Sequence, residues 1–243
     1  SVVYYAVVSN PLMNEYVFEL LSTIQIDSIF VNNQLCTYTR NANVVTVPLS
    51  SAMTAGTFFT TKIVYHGTPT SGTGFFSAGI NTIASPSWGN KVTYTLSASY
   101  HGFEWFPCKQ SLKDKIDSLD VLLTVDTPYV AVSNGVLQNI LIEGSKRTYV
   151  FKHRYPIANY LVAVSFSKYN TYTQKAFLSS TQKDLDIVNY VFPHNKLNEV
   201  KVQTFETIKM MHLFDSLFGT YPFHKEQYGH AQFSWGGGME HQT

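Results

Sequence analysis

The chain has 243 residues, enough for one large domain or two smaller ones around a sizeable core. Hydrophobic residues make up 44% and aromatic ones 15%, which excludes the disordered class, while charged residues reach only 14% against about a quarter in an average domain. A net charge of +1 leaves no electrostatic footprint for nucleic acid or an anionic membrane, and no stretch approaches the ~20 apolar residues of a membrane span.

Ser1 opens directly into Val2-Val3-Tyr4-Tyr5-Ala6-Val7-Val8, which reads as a strand. No signal peptide is visible there, which fits a leader already removed as well as a start set by the boundary of the segment. Strand-like runs follow at residues 15–21, 24–31, 44–49 and 57–65, broken by Asn32-Asn33 and by the Pro/Gly-rich stretch 69–74. Val92-Thr93-Tyr94-Thr95-Leu96 alternates apolar and hydroxyl side chains, the period of a half-buried strand. Further runs occupy 119–125, 147–155 and 160–166. In the second of these, Tyr149, Phe151, His153 and Tyr155 share one face. Ser133-Asn134-Gly135 and Glu143-Gly144-Ser145 read as turns. Many short strands at close spacing predict an antiparallel β domain, sandwich-like or saddle-like.

The pattern changes after residue 180. From 199 to 218 apolar residues recur at Val202, Phe205, Ile208, Met211, Phe214 and Leu217 or Phe218, which is helical spacing. Asn198 is the expected N-cap, Gly219 the C-terminal stop, and Pro222 follows. Met210 and Met211 are expected as core filler. Residues 228–235 then read as a strand leading into Gly236, Gly237 and Gly238.

Cys36 and Cys108 stand far apart with no metal-like spacing; they fit a reduced protein as well as a single disulfide, and the reduced reading is preferred. No two of His66, His101, His153, His194, His212, His224, His230 and His241 form His-Glu-x-x-His or stand four apart, so no metal-binding helix face is present. Ser133 lacks the Gly-x-Ser-x-Gly frame of a nucleophile elbow.

Five short segments carry a resemblance. Trp105-Phe106-Pro107-Cys108-Lys109 is followed by Asp114-Lys115, then Ala131-Val132-Ser133-Asn134-Gly135, then Tyr160-Leu161-Val162-Ala163-Val164, and finally Gly237-Gly238-Met239-Glu240. In this order they resemble the landmarks of the zinc aminopeptidases related to aminopeptidase N and leukotriene hydrolase. The resemblance implies a mainly β chain. Residues 1–180 would be the saddle-like antiparallel N-terminal domain. Residues 181–243 would be the truncated start, helix plus strand, of an α+β thermolysin-like catalytic domain, stopping before the zinc-binding helix. It implies a zinc metallo-aminopeptidase as the complete protein, with zinc there and none in this chain, which alone would be inactive. Its partners would be peptide substrates with a free N-terminus and the missing C-terminal catalytic part. Cys108 would be a buried structural thiol.

The candidate substrate-binding residues are Gly237, Gly238, Met239, Glu240 and His241. An exopeptidase must hold a protonated α-amine, and a carboxylate in a partly desolvated cleft does so because ammonium–carboxylate attraction grows as the dielectric falls. By resemblance Glu240 is that carboxylate. The preceding glycines let a peptide backbone approach with no Cβ in the way, and an extended edge could pair with it as an added strand. Two departures stand out: His241 where the family often has Asn, and Ala98 where it usually has Gln or Glu to help hold the amine. Two alternatives remain: a non-catalytic relative acting as a binding protein or scaffold, and an unrelated extracellular β-sandwich interaction module ending near Tyr169 with a disordered tail from Asp184. The low-charge, hydroxyl-rich composition points to an exported protein, periplasmic or secreted, with a cytoplasmic one as the alternative.

Overall fold

A computed structural model describes residues 1–69, 79–84, 89–193 and 196–243. The breaker at 69–74 apart from Pro69, and His194, lie outside the described residues. The chain divides into two compact units built from interleaved segments: 1–80, 96–115 and 158–160 in the first, and 81–95, 116–157 and 161–243 in the second.

The first unit carries two antiparallel sheets. One joins β1 (Val2–Val7), β7 (Phe58–His66), β3 (Gln25–Val31) and β4 (Gln34–Cys36) in that order; the other joins β2 (Leu12–Glu19), β6 (Val44–Thr54) and β5 (Thr39–Asn41). Alternation places Phe18, Ile29, Val45, Val47, Phe59 and Ile63 in a common core, completed by Leu20 and Ile24 from the β2–β3 turn. The Arg40 guanidinium donates to the carbonyls of Leu20, Leu21 and Ile24 at 2.6–2.8 Å, satisfying a turn whose carbonyls face inward. The Phe-Pro-Cys segment is stitched to the end of β2: Cys108 N–H donates to Glu19 O (3.0 Å) and Glu19 N–H to Cys108 O (2.9 Å). Both cysteines are free. Burial pushes the Cys108 thiol up to about 12, with the Asn159 amide opposing and Glu19 adding to the rise, so it stays an unreactive thiol in the core.

The second unit holds three sheets: β11 (Val130–Ser133), β14 (Val164–Ser167), β9 (Lys91–Thr95), β8 (Ile80–Ala84); β10 (Leu119–Asp126), β13 (Lys146–His153), β12 (Val136–Glu143); and β15 (Asn170–Leu178), β16 (Lys183–Val191), β17 (Tyr228–Ala231). Ile80, the first residue of β8, falls on the first unit's side of the division. The β16–β17 ladder is parallel, bridged by α1 (Leu197–Phe218), whereas the neighbouring β15–β16 ladder is antiparallel. A parallel pair needs such a crossover. Ile208 and Met211 of α1 pack on Ala176, Leu178, Leu185 and Ile187. Asp215 accepts from the Ser180 N–H at 3.0 Å and from its hydroxyl, fastening α1 to the β15–β16 turn; these bonds hold its carboxyl below the usual range.

Several expectations need correction. The run at 160–166 splits into a 3₁₀ turn, Asn159–Leu161, and β14, because Asn159 closes the turn onto its neighbour's N–H. α1 begins at Leu197 after Lys196, so Asn198 lies inside its first turn rather than capping it. Of the periodic apolar positions in α1 only Ile208 and Met211 are buried; Val202, Phe205, Phe214, Leu217, Phe218 and also Met210 are exposed. The strand expected over 228–235 stops at Ala231. There the Gln232 side chain accepts from the Phe192 N–H (2.7 Å) and the Tyr169 hydroxyl donates to the Gln232 carbonyl (2.6 Å), ending the ladder. β15, β16, α1 and β17 continue the second unit past Tyr169, against the interaction-module alternative with its disordered tail.

Candidate functional site

β17 delivers the chain to the candidate segment through an aromatic step. Phe233 packs on Tyr94 with centroids 4.8 Å apart and stacks on Trp235 at 6.1 Å and 8°. The Tyr94 hydroxyl donates to Ser234 O at 3.3 Å. The Trp235 ring lies over the next turn of backbone, so a Cβ on Gly237 would stand 2.5 Å from its Cζ3, inside any real contact. Gly237 is therefore required by close approach. Gly236 and Gly238 face open space.

Beyond the glycines, Met239 is half-buried, Glu240 is exposed and His241 is half-buried. Burial pushes the His241 imidazole down to about 4, with the neighbouring Glu240 carboxylate opposing, so the ring is neutral at physiological pH. The expected added-strand edge does not form: residues 236–243 belong to no ladder. The segment is instead fixed at its far end, where Gly135 N–H donates to Thr243 O and the Asn134 side-chain amide to Gln242 O, both at 2.6 Å. The five predicted residues thus lie together on one strap, with Gly237, Gly238 and Glu240 exposed and Met239 and His241 half-buried.

The other candidates fall elsewhere. Ala98 is half-buried in the first unit, its carbonyl accepting His101 N–H at 3.1 Å. Glu104, in the same segment, binds His101 Nδ1 at 2.7 Å while its Oε2 is buried without a hydrogen-bond partner. The Ser133 hydroxyl is committed to Ala163 O at 2.7 Å, a structural bond with no base beside it. His224 and His230 each hold a hydrogen bond, to Tyr221 O and Asn189 Oδ1. Among the described residues no three His, Cys, Asp or Glu side chains are placed to hold a metal ion. Asn134, Glu226 and His153 were not singled out as site residues. The Ser-Asn-Gly string read only as a turn, and nothing in the spacing of His153 and Glu226, 73 residues apart, announces their contact.

No known family profile and no curated protein matches the sequence. Solved structures do match. An M1 zinc metallopeptidase from Deinococcus radiodurans superposes with a TM-score of 0.77 over 93% of this chain and 50% of its own, at 21% identity. A variant of that enzyme bound to a Tyr-Ser-Ala substrate gives 0.77 at 20% identity, with the same coverage. Legionella pneumophila aminopeptidase A, in complex with aspartic acid, gives 0.70 at 15% identity over 89% of this chain and 24% of its own. The chain thus spans about half the length of the Deinococcus structures it matches. At this identity the likeness is one of fold, and it gives this chain the mainly β architecture found in the N-terminal part of such metallopeptidases.

Proposed function

We propose that this chain is the front part of a zinc-dependent aminopeptidase, and that Glu240 anchors the α-ammonium group of a peptide substrate. The observation that carries this reading is the exposed Glu240 carboxylate on a strap held at both ends, in a fold shared with zinc metallopeptidases, one of them bound to a short peptide. The open space at Gly236 and Gly238 leaves room for substrate backbone. A neutral His241 adds a hydrogen-bonding group without a positive charge that would compete with the ammonium for Glu240.

The described residues do not fit a zinc site, so the metal that such an enzyme uses would be bound by the part of the protein outside this chain. That part is the partner this reading requires. This reading assigns residues 1–180 to the saddle-like β domain and 181–243 to the start of the catalytic domain, with the β15–β16 ladder pairing across that line. A non-catalytic relative is the second reading, favoured by Ala98 at the position of the second amine-holding residue.

Assay of the protein that contains this chain, and of the chain alone, tests the proposal. The former should release amino acids from aminoacyl substrates. The isolated chain should bind no stoichiometric zinc and release nothing; zinc together with turnover by the isolated chain would contradict the reading. Inactivity of the longer protein with its zinc bound would favour the non-catalytic relative.

A further inference from the structure

Behind the strap lies a fully buried histidine with every ring nitrogen engaged. His153, 0% exposed on β13, meets Glu226 Oε2 at 2.6 Å through Nδ1 and Gln242 Nε2 at 3.0 Å through Nε2. The Gln242 amide nitrogen also reaches Pro156 O at 3.0 Å, a carbonyl that can only accept, so the NH₂ group faces the ring and His153 Nε2 is the acceptor. Nδ1 therefore carries the hydrogen and donates to Glu226. The Glu226 carboxylate takes two further bonds, from Arg154 N–H (2.5 Å) and from the Thr243 hydroxyl (2.8 Å).

Asn134 closes the other side. Its Oδ1 accepts Ala163 N–H at 2.7 Å, and its amide nitrogen donates to Leu161 O at 3.0 Å and Gln242 O at 2.6 Å. Gly135 beside it has φ +80°, and a Cβ there would stand 2.2 Å from Lys152 O, so the turn has no alternative residue. A turn that needed only to reverse the chain would not require an amide wired to two separate segments.

We propose that Asn134, His153 and Glu226 are positioning residues: they clamp Gln242 and Thr243, two and three residues past Glu240, and so set where the Glu240 carboxylate stands. The clamp rests on the reading of Glu240 as amine anchor only for its purpose, since its existence can be measured without activity.

Two variants test it. Asn134→Asp keeps the oxygen that accepts Ala163 N–H and removes both amide donations; Gln242→Ala removes the strap's side-chain bonds to His153 and Pro156 while the Asn134 bond to the Gln242 carbonyl remains. ¹⁵N relaxation on this chain should show the order parameters of Glu240 and His241 falling from about 0.85 to below about 0.6, with β12 and β13 unchanged. In the longer enzyme KM for an aminoacyl anilide should rise roughly tenfold, equivalent to about 1.4 kcal/mol, with kcat changing less. An unchanged strap in both variants, or equal loosening of β12 and β13, overturns the clamp. A loosened strap with KM unmoved overturns its positioning role. A wild-type enzyme without aminoacyl hydrolysis sinks the amine-anchor reading alone, and the relaxation result still decides the clamp.

Discussion

Two residues of the strap carry sharp consequences. His241 has a folded-state pKa of about 4 against an ordinary 6.5, so between those values the detached strap binds the proton more readily than the seated one. Order at the strap is therefore complete above pH 6.5 and is lost as the pH falls towards 4. An NMR titration of the ring should find its midpoint near 4 and rising mobility of the strap on the way down; a midpoint near 6.5 would place the ring in free solvent. Gly237 is the second. In Gly237→Ala the methyl meets the Trp235 ring, so the Phe233–Trp235 stack must open and the near-ultraviolet circular dichroism should change, whereas Gly236→Ala and Gly238→Ala leave it intact. The five candidate residues can be proposed from the sequence as a group because a Gly-Gly-Met-Glu string is local. Asn134, His153 and Glu226 were not, because their roles exist only once β13, the β11–β12 turn and the segment after α1 are brought together.

At the scale of elements, alternation located the strands that bury one face, such as β13, with Tyr149, Phe151 and His153 inward. β12 was missed because six of its eight residues are exposed and leave no alternation to read. β15 and β16 were missed for another reason: the change of character at 180 falls in the turn between them. The pattern of α1 gave the right element and overstated its burial, since only Ile208, Met211 and Asp215 of the helix are buried, the two apolar ones against β15 and β16. What holds this layer is Ile187, fully buried at the centre of β16 between Gln174 of β15 and Tyr228 of β17. Ile187→Ala should cost about 2–5 kcal/mol, read in a denaturant titration with the loss concentrated in α1 and β17. A loss below about 0.5 kcal/mol would mean that the layer does not depend on this contact.

For the whole molecule, the mainly β class followed from composition and turn spacing, while the division into units did not. A sequence reading cuts a chain at one point; here 96–115 and 158–160 join the first unit and 81–95 the second. That interleaving is set by long-range pairing, such as β9 with β14 and Cys108 with Glu19, which no local pattern records. We propose that the protein to which this chain belongs is an aminopeptidase whose Glu240 recognises a free α-amine. The most direct measurement is kcat/KM of that protein for an aminoacyl anilide and for its N-acetyl counterpart, in the wild type and in Glu240→Gln. The account predicts hydrolysis of the free amine only, and a roughly ten- to hundredfold loss in Glu240→Gln, the worth of about 1.5–3 kcal/mol for one charged hydrogen bond. Equal hydrolysis of both substrates, or a Glu240→Gln enzyme as active as the wild type, would contradict it.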